Sequence, residues 1–342
     1  MDSYGPISWD IDFDSPGIRH ERLTLLHSDD ANAYGEIPIP ISILKNGNGP
    51  TVLLTAGNHG NEYEGQIILR NLLASIDLQK LNGRLIVLPA FNAPAVRADQ
   101  RISPLDGGNL NRSFPGAPDQ GPTKAIAGVV TNHLLPMADW AMDFHSGDRS
   151  SQILLSGFLC SCADIAMHER NVEFASVFAA PYTFVVDGSG WQVGYDPHAH
   201  NQGVPLISTE LGGGGAVTAA SVEAGRRGLR RVLNWLEVYR DEEPSEPAPD
   251  TKWLKFWGIN ANIPSPTDGL FEPLVSFGDT VSAGQPAARV HIPWRPGVFE
   301  TVAFPNGGVV SVMRRLTSVR AGDYLFSVTP EVNRKAVLAM VR

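Results

Sequence analysis

TVLLTAGNHGNEYEG, residues 51–65, joins an apolar run, a glycine-rich turn and the opening of a helix in one short stretch. Thr51 to Ala56 is the uninterrupted apolar run that a strand covered on both faces requires. Beyond the turn, 64–77 places Ile67, Ile68, Leu72, Leu73 and Ile76 at helical spacing, so this region predicts strand, tight turn and packed helix. RLIVLPA (84–90), ADWAMDF (138–144) and VPLISTEL (204–211) read as further buried strands. A last helix over 219–239 carries Val222, Leu229, Val232, Leu233 and Leu236 on one face, with Arg226, Arg227, Arg230 and Arg231 as its solvated face. Strands alternating with helices imply an α/β layer with a mostly parallel central sheet flanked by helices.

The pattern breaks at DEEPSEPAPD, 241–250, whose acids and prolines predict an exposed linker. At 342 residues the chain is longer than one average domain. The expected division is therefore a catalytic domain at 1–240 and a second domain at 251–342. Within the latter, 263–328 is rich in Gly, Pro and Val, has frequent turn signals and lacks a helical period. It predicts an all-β module, a small barrel or sandwich.

A formal net charge of -9, without any Lys/Arg-rich tract, argues against nucleic acid as partner. The longest apolar runs are strand-sized, so no membrane span is expected. The N-terminal MDSYGPISWDIDFDSPG is acidic and has no apolar signal core, and a cytoplasmic protein is expected. Cys160 and Cys162 are too close for an ordinary disulfide and read as reduced thiols.

Chemistry concentrates at the ends of the expected strands. His59 and Glu62, three apart on the glycine-rich turn, can both point at one ion, and His145 in DFHSG supplies a third donor where another strand stops. Two His and one Glu, leaving a position for water, is a recurrent catalytic zinc arrangement. His-x-x-Glu alone occurs by chance; its placement at strand C-termini, where open α/β sheets put their sites, gives it weight against ordinary turn histidines. Glu210, in STELG, also closes a buried strand and is the candidate general base, against a merely capping or ion-paired Glu. DGGNLNRSFPG, 106–116, sets Asn111 and Arg112 on a glycine loop that can grip a substrate carboxylate, and Arg101 upstream is a candidate cation for an oxyanion. Asp143 and Asp148 both flank His145 closely enough to orient it, and the sequence does not choose between them.

GNHGNEYEG, GGNLNRSFPG, DFHSG and STELG, in that order, resemble the succinylglutamate desuccinylase/aspartoacylase family, a branch of the zinc carboxypeptidase-like fold. The resemblance spans about 50–239, and the all-β tail matches the family's two-domain layout. It implies one zinc ion per chain on His59, Glu62 and His145, with Glu210 as general base. It further implies that Asn111 and Arg112 hold the substrate carboxylate and that Arg101 polarises the scissile carbonyl. A longer PLDGG stretch separates Arg101 from Asn111 than in aspartoacylases, which puts that last role in question. Within the family, KNGNGPTVLLTAGNHGNEYEG and SPLDGGNLNRSFPG look most like the N-alpha-acetyl-diaminobutyrate deacetylases.

The expected activity is thus zinc-dependent hydrolysis of the amide of a small N-acyl amino acid. A metallocarboxypeptidase acting on peptides is the alternative enzyme, and a catalytically silent zinc- or ligand-binding protein the alternative of another class. DPHAH, 196–200, reads as a specificity loop or surface rather than a second metal site, with Trp191 and Tyr195 as candidates to line the pocket. The β tail also resembles biotinyl/lipoyl barrel-sandwich modules. Its SVMRR stretch, 311–315, has no Lys to modify, so the module is expected to cover the active-site mouth or to mediate homo-oligomer assembly.

Overall fold

Ahead of the apolar run at 51–56, four strands form an antiparallel flank: β1 (Asp2–Tyr4), β2 (Ile7–Trp9), β3 (Gly17–His27) and β4 (Gly35–Asn46). Strands and helices then alternate through β5 (Thr51–Ala56), α1 (Glu64–Ser75), β6 (Gly83–Leu88), α2 (Ala93–Ala98), α3 (Pro122–Val129) and β7 (Trp140–His145). They continue through β8 (Ser151–Ile153), β9 (Ser156–Cys160), α4 (Ile165–Phe178), β10 (Tyr182–Val186), α5 (Tyr195–Asn201), β11 (Leu206–Glu210) and α6 (Ala219–Trp235). This computed structural model describes residues 1–186, 194–240, 249–256 and 261–341; Trp191 and most of the expected linker, 241–248, lie outside them.

Twelve strands join in the order β1-β2-β3-β4-β6-β5-β7-β11-β9-β10-β12-β21, where β12 is Lys252–Phe256 and β21 is Glu331–Val332. The centre is parallel: β6, β5, β7 and β11 run together, as do β9, β10 and β12. The large sheet thus takes strands from both sides of 241–250.

Every residue of β5 is buried because the sheet is covered on both faces. Leu53 joins a cluster with Leu110, Ile126 of α3 and Tyr195 of α5, whereas Val52 and Leu54 join the cluster formed with α1, α4 and α6. That alternation is the two-residue period of a strand, here apolar on both sides. Two glycines let the turn after β5 close. Gly57 has φ of 74°, a conformation that L side chains rarely adopt. A Cβ on Gly65 would lie 2.3 Å from that of Phe144, so its absence lets α1 descend onto β7.

Three helical expectations are corrected. Ile67 is 36% exposed, because α1 turns Ile68 and Leu69 inward instead. α6 ends at Trp235, and Glu237, with φ of 55°, redirects Val238 and Tyr239 into the core. Arg231 is not a solvated residue: its guanidinium donates to the carbonyls of Val177 and Ala179 at 3.2 and 3.1 Å, capping α4.

The module beyond β12 is all-β, with β13 (Asn262–Pro264), β14 (Gly269–Pro273), β15 (Thr280–Val281), β16 (Pro286–His291), β17 (Phe299–Ala303), β18 (Gly308–Arg314), β19 (Ser318–Val319) and β20 (Tyr324–Thr329). One sheet is β17-β16-β14-β19 and the other β13-β20-β18-β15. β8 pairs with β18, Val312 opposite Ile153, so the module is stitched to the body by backbone hydrogen bonds. A separate apolar cluster, with Leu154, Phe158, Phe184, Leu254 and Val309, fills the junction. SVMRR lies largely within β18, not at a hairpin tip. Among the described residues no helix is long and apolar enough to cross a membrane. Cys160 and Cys162 are free thiols.

His200, inside α5, is buried and its Nε2 lies 3.1 Å from the Leu206 carbonyl oxygen and 2.8 Å from the Asn171 amide. It is therefore a core histidine. Burial lowers its pKa to about 4, the Leu206 carbonyl offsetting part of that. The unfolded chain then takes up the proton first, near pH 6.5, so this stability is complete above about 6.5 and lost as pH falls toward 4. We expect urea unfolding between pH 7 and 4 to show a loss on the order of 3 kcal/mol attributable to this group, absent from the slope of His200→Gln.

Candidate active site

The parallel register of β5, β7 and β11 brings their C-terminal ends side by side, Ala56 opposite Phe144 and Glu210 opposite His145. His59 and Glu62 follow β5 on the turn, and His145 ends β7. All three are buried, and one ligand atom from each lies within 4.8 Å of the others. These residues could hold a metal ion.

Their hydrogen bonds fix which atoms would face it. The His59 Nδ1 lies 3.2 Å from the Arg101 carbonyl oxygen, which leaves Nε2 available. The His145 Nε2 lies 2.8 Å from Asp143 Oδ2, while its Nδ1 lies 2.9 Å from Glu62 Oε2. Asp143 in turn accepts from the Thr55 hydroxyl at 2.7 Å and the Asn58 amide at 2.9 Å. A carboxylate behind a histidine, itself hydrogen-bonded, is what orients a metal-ligating imidazole. Asp143 and not Asp148 therefore stands behind His145. Asp148 caps its own loop, accepting from the Ser150 backbone N–H at 2.7 Å, and lies 3.7 Å from Arg101.

The electrostatics suit a cation. Burial works against protonation of His145, but the Asp143 and Glu62 carboxylates outweigh it and hold its pKa well above the usual histidine value. Burial, with the Arg101 and His145 charges, holds His59 well below that value. Burial first and the Glu62 charge second hold Glu210 above the usual carboxylate range. Glu210 Oε2 is buried without a hydrogen-bond partner among the described residues. A divalent ion among these groups would balance the buried negative charge and oppose the burial and the Glu62 charge that raise the Glu210 pKa.

Arg101 reaches the site in spite of the longer PLDGG stretch. Its Nη1 lies 3.1 Å from Glu62 Oε1. Asn111 accepts the Tyr195 backbone N–H at 3.2 Å through Oδ1, which turns its Nδ2 donors away from α5. Arg112 lines the same cavity; burial, and then the neighbouring Arg101 cation, lower its pKa. An arginine nonetheless stays charged, so two guanidinium groups share this wall.

The cavity measures about 310 Å³. Its lining joins all seven expected site residues, His59, Glu62, Arg101, Asn111, Arg112, His145 and Glu210, to Phe256, Val312 and Tyr324 from beyond 250. Tyr195 does not line it: this ring is buried in the core, stacked on Phe114 with centroids 4.8 Å apart. The sequence reading missed Tyr324 and left Asp196, within DPHAH, between a specificity loop and plain surface; both line the cavity. Nothing in a β-strand tyrosine marks it as distant in sequence yet close in space. Ser208 was a usable signal, because it sits two residues before Glu210 and so shares its face.

Residues 48–236 match the succinylglutamate desuccinylase/aspartoacylase catalytic domain. The chain belongs to this family. In the succinylglutamate desuccinylase/aspartoacylase family its relatives include the N-alpha-acetyl-L-2,4-diaminobutyric acid deacetylase of Halomonas elongata, 38% identical over 321 residues and covering 93% of each chain. Among solved structures, a succinylglutamate desuccinylase from Silicibacter sp. TM1040 superposes with a TM-score of 0.91 at 36% identity, covering 97% of this chain and 100% of that one. The product-bound ectoine utilization protein EutE (DoeB) of Ruegeria pomeroyi also gives 0.91, at 37% identity, covering 96% and 100%.

If His59, Glu62 and His145 take zinc, replacing any one by Ala will abolish stoichiometric metal. Asp143→Asn, which keeps all three donors, will weaken affinity by roughly 10- to 100-fold. Chelator-competition titration of zinc measures both, and full zinc in the three Ala variants would refute the assignment.

Proposed function

We propose that this protein is a zinc-dependent amide hydrolase that removes the acyl group from a small N-acyl amino acid, with N-alpha-acetyl-diaminobutyrate as the substrate of choice. The observation that carries this reading is Glu210, whose Oε2 is buried and unpartnered among the described residues, set beside the three-donor group in a cavity also lined by Arg101 and Arg112. A catalytically silent binding protein has no use for such a carboxylate. Similarity to the Halomonas deacetylase supports the substrate class.

Bound by His59, Glu62 and His145, a zinc ion would supply Lewis acidity for the amide carbonyl and for the attacking water. The chain's own groups do the rest. Arg112 and the Asn111 amide hold the α-carboxylate, fixing the acyl amide over the three donors. Arg101 donates to the carbonyl oxygen as negative charge gathers there. Glu210 accepts the proton of the attacking water and returns it to the nitrogen of the leaving amine. Tyr324 and Val312 of the module line the cavity, whose volume of about 310 Å³ supports a metabolite-sized substrate.

Glu210→Gln should keep zinc and lose roughly 100-fold or more in kcat. Near-normal turnover would assign the base to another carboxylate.

Arg112→Lys keeps the charge but not the planar fork. We expect kcat/KM for free N-acyl amino acids to fall by about 10-fold or more, mainly through KM, and amide-capped analogues to be poor substrates for parent and variant alike. Kinetics on the free acid, its amide and a tripeptide ending in the same residue decide the matter. Equal rates on the tripeptide would favour the carboxypeptidase alternative.

A further inference from the structure

Asp196 takes no part in the reaction above, yet its side chain lines the same cavity. It is the second residue of α5, is 3% exposed, and accepts a hydrogen bond from the Ser208 hydroxyl to its Oδ1 at 2.7 Å. Ser208 and Glu210 leave β11 on the same face, so the proposed base and the residue that holds Asp196 open onto one space.

No lysine or arginine among the described residues pairs with Asp196. The charged groups acting on it are Asp143, which is negative, and His145. The cavity's Arg101 is engaged instead by Glu62 and Asp148. A buried carboxylate in such surroundings is costly unless it is neutral or meets a cation that arrives with a ligand. Burial pushes its carboxyl up to about 6, the Ser208 hydrogen bond pulling down and Asp143 pushing up, so near pH 7 an anion is available.

The backbone next to Asp196 also helps to hold the proposed carboxylate clamp. The N–H of Tyr195, the preceding residue, donates to Asn111 Oδ1. The start of α5 therefore ties the donor for one end of a short amino acid to an acceptor for another part of it. We propose that Asp196 is the specificity residue for the amine half of the substrate and receives the side-chain ammonium of an N-acyl diamino acid. An acidic side chain in that position would meet a buried like charge. This inference rests on the deacylase reading, and its test separates the two.

The zinc-loaded parent enzyme is assayed on N-acetyl-2,4-diaminobutyrate, on N-acetylnorvaline, in which a methyl replaces the ammonium, and on N-acetylaspartate. Binding of free 2,4-diaminobutyrate and norvaline is measured by titration calorimetry on the parent, Asp196→Asn and Asp196→Ser. The parent should favour the ammonium substrate over both others by on the order of 100-fold in kcat/KM. Asp196→Asn should shrink that preference to a few-fold by raising KM for the ammonium substrate, with norvaline values little changed, and calorimetry should lose the same factor. Absence of preference in the parent overturns the proposal, as does a preference retained in the variants or an equal loss on both substrates. The parent comparison needs no variant, so a misfolded Asp196→Asn does not shield the idea. If the parent hydrolyses none of the three, the deacylase reading fails; an Asp196-dependent calorimetric preference for the diamino acid would still uphold the ammonium site, and its absence would sink that too.

Discussion

His145 lies between two buried carboxylates, Glu62 at 2.9 Å from one ring nitrogen and Asp143 at 2.8 Å from the other, and the architecture around the cavity answers to that contact. Two negative charges in an apolar sheet are tolerable only if each is hydrogen-bonded and if a cation balances them. Thr55 and Asn58 satisfy Asp143 from the strand and turn alongside, and the Ser146 N–H and Arg101 attend Glu62. Those partners can meet only because β5 and β7 run parallel in register and end together. The two carboxylates hold the His145 pKa well above the usual histidine value, and a divalent ion bound here would share that balancing role.

The C-terminal module enters this network through a loop rather than by adding a catalytic group. The Tyr324 hydroxyl meets both Ser150 and Ser151. The same two serines are turned by Asp148, whose other oxygen lies 3.7 Å from Arg101. Hydrogen bonds thus run from the module through the loop after β7 to the guanidinium beside Glu62. With β8 paired to β18 and an apolar cluster filling the junction, the loop is held from both sides. The module thus contributes Val312 and Tyr324 to the cavity lining, as a role in covering the mouth would require.

How much of this was legible depended on burial. The central strands announce themselves because both faces are covered and the apolar run is continuous, and the donor residues stand out because polar groups interrupt such runs at their C-terminal ends. β3 sits near the sheet's margin and buries only Leu23 and Leu25, which leaves no pattern for a reader to find. The choice between Asp143 and Asp148 turned on side-chain direction: Asp143 and His145 lie two apart on one strand and share a face, but that argument needs His145 inside the strand rather than beyond it. Tyr195 and His200 were ambiguous for a related reason, since an aromatic or a histidine in a short helical turn looks the same whether it faces core or solvent. Arg231 illustrates the converse. A helix pattern places it outside, and only the end of a neighbouring helix gives it carbonyls to cap.

Both signs of charge meet within the cavity, Arg101 lying against Glu62 and Asp148, and their arrangement constrains what can occupy it. Arg101 and Arg112 make one wall cationic, while Glu210 and Asp196 open onto the same space as the His59, Glu62 and His145 group. A ligand carrying only negative charge would satisfy the arginines and be repelled by the carboxylates. One carrying only positive charge would do the reverse. A molecule with a carboxylate at one end and an electron-rich amide in the middle places its charge correctly toward Arg112 and the metal donors, and leaves Asp196 as the remaining unsatisfied group. In about 310 Å³ there is room for a short side chain to reach it. Glu62 and Asp196 are buried, and there a charge mismatch costs far more than on a surface. On the proposed deacylase reading, selectivity is set by which buried charges a substrate leaves unpaired, more than by the shape of the space it fills.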